Sequence, residues 1–349
     1  MSESSSGAYP DSAVTDSHES VESALKLVYG FRSTQVTYVV AKLGLADHLA
    51  DGPLTATELA SRVNVKPENL GRVLRLAAFF GVVAEVPGER FELTSLGRML
   101  GTDAAGSIKA TAIMLGEEHY GAWGSLLHSV KTSEPAFEHV YGAPFFDYMA
   151  AHPDVQATFD AAMSAGMDVM LESLCDAYDF SGSRLVVDVG GGNGSVAAMI
   201  LGRHPHLEAV IYDQAQVLAA AESYLTAASV RSRCRLVPGN FFESVPEAGD
   251  AYVLSNIIHD WDDERALRIL RNCRAAMAPG AAVLLLEAVL PEHGSPSVAA
   301  MADVNMMVLL TGRERTEKQY AALLEAAGLR LSKVTPIWAR ESLIEARPL

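Results

Sequence analysis

Cysteine is scarce in this chain of 349 residues: Cys175, Cys234 and Cys273 are an odd number with no C-x-x-C spacing. That excludes a disulfide framework and a zinc ribbon, and it makes a reducing cytoplasm the expected home. No apolar run reaches the ~18 residues that a membrane span needs, and no segment has the apolar core of a secretory signal. Positive charge is in short supply too, with 27 Lys and Arg against 43 Asp and Glu and a net charge of −16. Such a surface repels polyphosphates and anionic membranes, which argues against nucleic acid or a bilayer as partner and for a small substrate. What remains, 49% hydrophobic and 20% charged residues, is the composition of a soluble globular enzyme with about two or three domains.

Glycine, by contrast, is concentrated where it matters. Leu185-Val186-Val187-Asp188-Val189 runs into Gly190-Gly191-Gly192-Asn193-Gly194 and then into Ser195 to Leu201, which reads as buried strand, tight turn and helix. The turn needs positive φ and an open backbone against which a ligand can lie, and a Cβ would block both. A second apolar strand, Ala209 to Asp213, ends in an acid roughly 20 residues further on, the place from which a carboxylate grips a ribose diol. The spacing is G-G-G-x-G rather than G-x-G-x-x-G and offers few helix N–H groups to a pyrophosphate, so an adenosyl group without phosphates is the expected ligand. An ordinary strand–helix–strand crossover with a glycine-rich turn is the competing reading of these residues alone.

The chain divides by pattern. Residues 1–19 are polar and read as a disordered leader. Two helical patterns span Val21 to Leu49, with Val36, Val39, Val40 and Leu43 on one face before Gly44 interrupts; so much apolar surface suggests a partner. Leu54 to Leu100 reads as a winged helix. Thr55 and Glu58 form a capping box, Pro67 opens a helix with Leu70, Val73, Leu74, Ala77 and Phe80 on one stripe, and Pro87-Gly88 turns the wing. Only Lys66, Arg72 and Arg75, with Glu68 among them, would face DNA, so dimerisation is the preferred role. Residues 105–180 form a helical linker rich in aromatics, where Phe159, Met163 and Met167 share a face that is core or pocket. In residues 181–349, strands at 235–237, 251–255 and 281–286, a helix at 264–277, another near 317–327 and an edge hairpin of 330–335 with 342–346 complete an α/β sheet. Gly190, Asp213, Asn240, Ser255 to His259 and Glu287 fall at the carboxyl ends of its strands. His204-Pro205-His206 reads as a solvated turn, and no metal site is expected.

With these motifs laid out, the chain resembles the small-molecule O-methyltransferases that use S-adenosylmethionine, the caffeate type and its bacterial natural-product tailoring branch. VDVGGGNG at 187–194, Asp213, PGNFFE at 238–243, HDWDD at 259–263 and GRERT at 312–316 carry the resemblance. It implies a Rossmann-like α/β methyltransferase domain preceded by an α-rich winged-helix dimerisation domain, a homodimer, and S-adenosyl-L-methionine as cofactor. It places Gly190, Gly191, Gly192, Asp213, Gln214, Gly239, Asn240, Phe241 and Ser255 around that cofactor, and Phe159, Met163 and Asn305 around the acceptor. His259 matches the general base, and Glu287 and Glu314 the carboxylates that hold it. Asn240 stands where the family commonly has aspartate, keeping an acceptor for adenine but removing a charge. Ser255 stands where plant members commonly carry lysine.

The chemistry suits the residues. A phenol with pKa near ~10 is neutral at pH 7, and a histidine with pKa near ~6.5 is the natural group to take its proton. A carboxylate on one imidazole nitrogen fixes the tautomer and steadies the imidazolium. The expected activity is therefore methylation of a hydroxyl on a small aromatic or polyketide-like compound. The alternatives are C- or N-methylation of a heteroaromatic such as an indole, a non-methylating relative that uses the cofactor electrostatically, and a winged-helix regulator that senses the adenosyl ligand.

Overall fold

Gly44 takes the left-handed conformation (φ 62°) and separates helix α1, Ser12–Lys42, from α2, Leu45–Leu49. The computed structural model describes residues 12–164, 167–292, 297–338 and 341–349. Residues 1–11 of the expected leader lie outside the described residues, and α1 covers residues 12–19.

These helices belong to the first of two compact units, residues 1–117. Strand β1 (Leu54–Thr55), α3 (Ala56–Val63), α4 (Pro67–Phe79), β2 (Val83–Val86) and β3 (Arg90–Leu93) follow, with α5 (Ser95–Arg98) and α6 (Lys109–Gly116) closing the unit. The strands pair antiparallel in the order β1-β3-β2, the layout of a winged helix. The Thr55–Glu58 capping box is formed at both ends. Leu70, Leu74 and Ala77 are buried, and Val73 and Phe80 pack against the same core together with Val36, Val40 and Leu45. Helix α6 lies along α1: Gln35 Nε2 donates to the Gly116 carbonyl at 3.0 Å, and Tyr38 Oη to Glu117 Oε1 at 2.9 Å. Residues 109–117, expected in the linker, therefore pack with the first unit.

The second unit, residues 118–349, opens with six short helices: α7 Glu118–Trp123, α8 Leu126–Thr132, α9 Ala136–Tyr141, α10 Phe145–Ala151, α11 Pro153–Ser164 and α12 Met167–Ala177. The strand–helix alternation then builds the sheet. β4 (Leu185–Val189), α13 (Ser195–Arg203), β5 (Glu208–Asp213), α14 (Ala215–Ala227), β6 (Cys234–Pro238), β7 (Ala251–Ser255), α15 (Asp263–Ala276) and β8 (Ala282–Leu290) lead to α16 (Ala299–Leu309), β9 (Arg315–Thr316), α17 (Glu317–Ala326), β10 (Leu329–Trp338) and β11 (Glu341–Pro348). The strand order is β10-β11-β8-β7-β4-β5-β6, with β9 beside β8. β4 to β8 run parallel, and β10 and β11 form the antiparallel edge hairpin.

All five residues of β4 are buried. Val186, Ile211, Val253 and Leu284 feed one apolar cluster, while Val187, Val210, Leu254 and Leu285 feed another. Alternation within each strand thus covers both faces of the sheet. Burying each such side chain is worth about 1.5–3 kcal/mol, which holds the strand ends rigid. The strand order reverses at β4, flanked by β5 and β7, and the crevice beyond the carboxyl ends at such a switch point is where open α/β sheets bind ligands.

Candidate active site

The turn after β4 is shaped for close approach. Gly190 sits at φ 72°, and a Cβ there would collide with the Ile257 side chain on the loop after β7. Its N–H donates to the Tyr212 carbonyl at 2.8 Å, and that of Gly191 does so at 3.4 Å, tying the turn to the end of β5. Asp213 receives the Gly192 N–H on Oδ2 at 2.9 Å and the Gln214 N–H on Oδ1 at 2.6 Å. Burial raises its pKa against those two bonds, and each oxygen keeps a lone pair for a further donor. Gly239 donates its N–H to the Asp213 carbonyl at 3.0 Å, so the three turns that carry the expected cofactor residues are bonded to one another. Gln214 is exposed at the start of α14 and accepts from Gln216 Nε2 at 2.6 Å.

Asn240 is also exposed. Its Oδ1 accepts the Phe242 N–H at 3.0 Å and its Nδ2 donates to Glu243 at 3.2 Å, so the amide shapes its own turn. The edge of the Phe241 ring comes within 3.8 Å of where a Gly190 Cβ would be. At the end of β7, Ser255 Oγ is buried without a hydrogen-bond partner, a cost that a polar ligand would remove. Acid, open cradle, aromatic edge and orphaned hydroxyl together fit a nucleoside. Sequence reasoning missed Asp188 as part of this cradle. It is fully buried, burial pushes its pKa up to about 7, and it accepts the Ala197 N–H at 3.2 Å from under the turn.

A second cluster gathers around His259, which is 6% exposed in a short 3-10 turn, Ile258–Asp260. Glu314 Oε1 is 3.0 Å from Nδ1, Glu287 Oε2 is 3.6 Å from the same nitrogen, and Asp260 Oδ1 is 3.4 Å from Nε2. The two expected partners differ in what they hold. Glu314 bonds the ring, whereas Glu287 Oε1 accepts the N–H groups of Ile257 (3.2 Å) and Ile258 (2.7 Å) and so anchors the turn. Burial alone would lower the His259 pKa, but the charges of Glu287 and Asp260 and the bond to Glu314 outweigh it and raise it to about 10. Burial raises Glu287 to about 7 and Asp260 to about 6, opposed in each by the His259 cation. The carboxylates thus hold a proton on His259 more firmly than an ordinary histidine holds one, and His259 acts as a base only from its neutral form. Ligand atoms of His259, Glu287 and Glu314 all lie within 4.8 Å of one another, a spacing that could also hold an ion. The 3.0 Å Nδ1–Glu314 separation is that of a direct hydrogen bond.

The expected acceptor residues meet only in part. Phe159 packs edge-to-face on Phe145 at 5.5 Å and shares an apolar cluster with Val304 and Val308 of α16. Asn305 on that helix accepts from Trp123 Nε1 at 2.9 Å. Met163 is 45% exposed, and the Met167 side chain lies outside the described residues. A cavity of about 450 Å³ lined by Asp160, Ala161, Ser164, Asn193, Ser223 and Tyr224 opens beside the glycine turn rather than at His259.

Comparison with known proteins bears out the resemblance. Residues 123–330 match the model of an O-methyltransferase domain, and residues 25–103 that of the O-methyltransferase dimerisation domain. The phenazine O-methyltransferase of Lysobacter antibioticus is 41% identical over 93% of this chain and 95% of its own. The 3-amino-4-hydroxybenzoate 4-O-methyltransferase of Streptomyces cremeus is 40% identical over 92% and 88%. Among solved structures, the O-methyltransferase NcsB1 from neocarzinostatin biosynthesis, in complex with S-adenosylmethionine and 2-hydroxy-5-methyl naphthoic acid, superposes with a TM-score of 0.82 at 30% identity, covering 90% of this chain and 96% of that one.

Proposed function

The chain belongs to the O-methyltransferase family, and from that premise we propose that it methylates a hydroxyl of a small aromatic or polyketide-like natural product, with S-adenosylmethionine as donor and His259 as general base. The observation that carries the reading is the buried His259–Glu314 bond, on a turn whose neighbour Ile257 lies against the Gly190 cradle.

When bound, S-adenosylmethionine supplies a methyl group on a sulfonium whose charge is lost as the methyl leaves. Asp213 holds the ribose, the 190–192 turn admits the methionine end, and Asn240, Phe241 and Ser255 flank the adenosyl group. In the neutral form of His259, Glu314 accepts from Nδ1–H and thereby leaves Nε2 as the acceptor for the phenolic proton. A neutral His259 whose conjugate acid has a pKa of about 10 is matched to a phenol of pKa ~10, so the transfer itself is near balance once His259 has lost its own proton. Phe159, Met163 and Asn305 position the ring, and positioning supplies most of the remaining rate.

The first unit serves assembly. Along α1, Leu27 is 85% exposed, and Val28 and Phe31 are exposed beside it, within residues 25–103 that match the dimerisation domain. A homodimer covers that surface, and light scattering should return twice the chain mass at micromolar concentration; the single-chain mass would refute it. The three cysteines are free and buried, which suits a cytoplasmic protein. Among the described residues no helix is long and apolar enough to cross a membrane.

Incubation with S-adenosylmethionine and a panel of phenols, aminophenols and indoles, read by mass spectrometry, tests the activity. A methyl gain on oxygen supports the reading. Gain only on carbon or nitrogen, or on none of the panel, contradicts it.

A further inference from the structure

The GRERT segment holds more than Glu314. Arg315 is fully buried, the largest side chain of the described residues to be so. Its Nη1 donates to the Ile258 carbonyl at 3.1 Å and its Nη2 to the Trp261 carbonyl at 2.9 Å, the residues that bracket His259 and Asp260. Its Nε and Nη2 both reach Asp263 Oδ1, at 3.0 and 2.9 Å. One planar cation thus ties both ends of the His259 turn to the start of α15, a task for a forked guanidinium rather than a single ammonium. The backbone completes the arrangement. Arg313 N–H donates to the His259 carbonyl at 2.8 Å, and Gly312 lies so close that a Cβ would overlap that same carbonyl. Glu314 N–H donates to Asp303 of α16 at 2.9 Å. The segment is itself fixed because Arg315 and Thr316 form β9 against Val289 and Leu290, the last residues of β8.

We infer that Arg315, paired with Asp263, is a positioning residue for the reaction: it sets the distance between His259 Nδ1 and Glu314 by clamping the turn that carries the histidine. The inference rests on the reading of His259 as the base. Glu314 precedes Arg315 on the same segment, so one clamp governs both partners of the 3.0 Å bond. The charged or titratable groups around His259 are Glu287 from β8, Glu314 and Arg315 from the GRERT segment, Asp260 and Asp263 from the turn and α15, Asp303 from α16 and Tyr320 from α17. Arg315 alone reaches both outer carbonyls of the turn with its side chain; Asp263 accepts from it, Arg313 pairs with the other Asp263 oxygen at 2.6 Å, and Tyr320 bonds Arg315.

The test uses the full-length protein with histidine labelled at Cε1, the His259 signal being identified from His259→Gln. Arg315→Lys keeps the charge but cannot span both carbonyls and Asp263. Asp263→Asn alters a half-exposed partner and leaves the core intact. S-adenosylhomocysteine binding by calorimetry reports that each variant is folded, with affinity within about threefold of wild type. In Arg315→Lys the His259 titration midpoint should fall by more than a unit toward an ordinary histidine. Turnover on a phenol accepted by the wild type should drop about tenfold or more with KM nearly constant, and Asp263→Asn should show a smaller change of the same kind. An unmoved midpoint in a variant that binds S-adenosylhomocysteine normally overturns the inference, and if Arg315→Lys fails to fold, Asp263→Asn alone decides it. Full turnover in His259→Gln would instead overturn the general-base reading, while the titrations still report whether Arg315 sets the turn.

Discussion

The two halves of the candidate site are built in opposite ways. The cofactor cradle is mostly backbone: the N–H groups of Gly190 and Gly191 bond the Tyr212 carbonyl and that of Gly239 the Asp213 carbonyl, while the Asp213 carboxylate accepts the Gly192 and Gln214 N–H groups. The His259 cluster is made of side chains drawn from β7–α15, β8 and the GRERT segment, four ionisable groups crowded where water is excluded. A backbone site tolerates loss of one side chain, whereas a site of coupled buried charges does not, because each charge is tolerated only through its partners. Substitutions in the two places should therefore differ in kind: affinity in the first, turnover and its pH dependence in the second.

The largest effect separates them most sharply. His259→Ala should lower turnover by about 10²–10⁴-fold and leave S-adenosylhomocysteine affinity almost unchanged, since the proton is taken only on the way to the transition state. Loss of affinity comparable to the loss of turnover would merge the two halves. Asp213→Ala should do the reverse, weakening S-adenosylhomocysteine about ten- to a hundredfold by calorimetry, as expected for a charge-assisted contact of ~1.5–3 kcal/mol. Glu287→Gln and Glu314→Gln should each cost less than His259→Ala, and their double variant less than the product of the two, because both act on one imidazole. Multiplicative losses would mean that they act separately. The smallest effect is expected at the exposed position 240: Asn240→Asp keeps the acceptor that caps Phe242 and should move cofactor affinity only a few fold, toward tighter binding of a cationic ligand.

The same contrast decides what was legible in the sequence. The cradle lies in contiguous runs, so the β4 strand, the glycine turn and Asp213 were readable from apolar pattern and spacing, and the Thr55–Glu58 box and Gly44 break in the first unit for the same reason. The His259 cluster joins residues far apart in sequence: pattern placed His259 and Glu287 at the same edge of the sheet, but only the family resemblance added Glu314. Pattern ended strand β8 at Glu287, but it runs on to Leu290, and those last residues are the edge on which β9 seats Arg315. A two-residue strand has no periodicity to detect, and a buried arginine looks like any surface charge until its partners are known. Asp188 was visible only as an acid in an apolar strand. The raised basicity of His259 was out of reach, since it depends on three carboxylates converging at 3.0–3.6 Å.

That basicity is the central claim, and a pair of pH–rate profiles tests it most directly. Only neutral His259 can take the phenolic proton, so kcat/KM should fall with decreasing pH below the His259 pKa, which the carboxylates hold near 10 rather than at the ordinary ~6.5. Glu287 is the largest of the influences that raise it. Removing that charge in Glu287→Gln lowers the pKa, so the acid limb should shift to lower pH even as the maximal rate declines. A wild-type limb near 6.5 that stays there in Glu287→Gln would contradict the account.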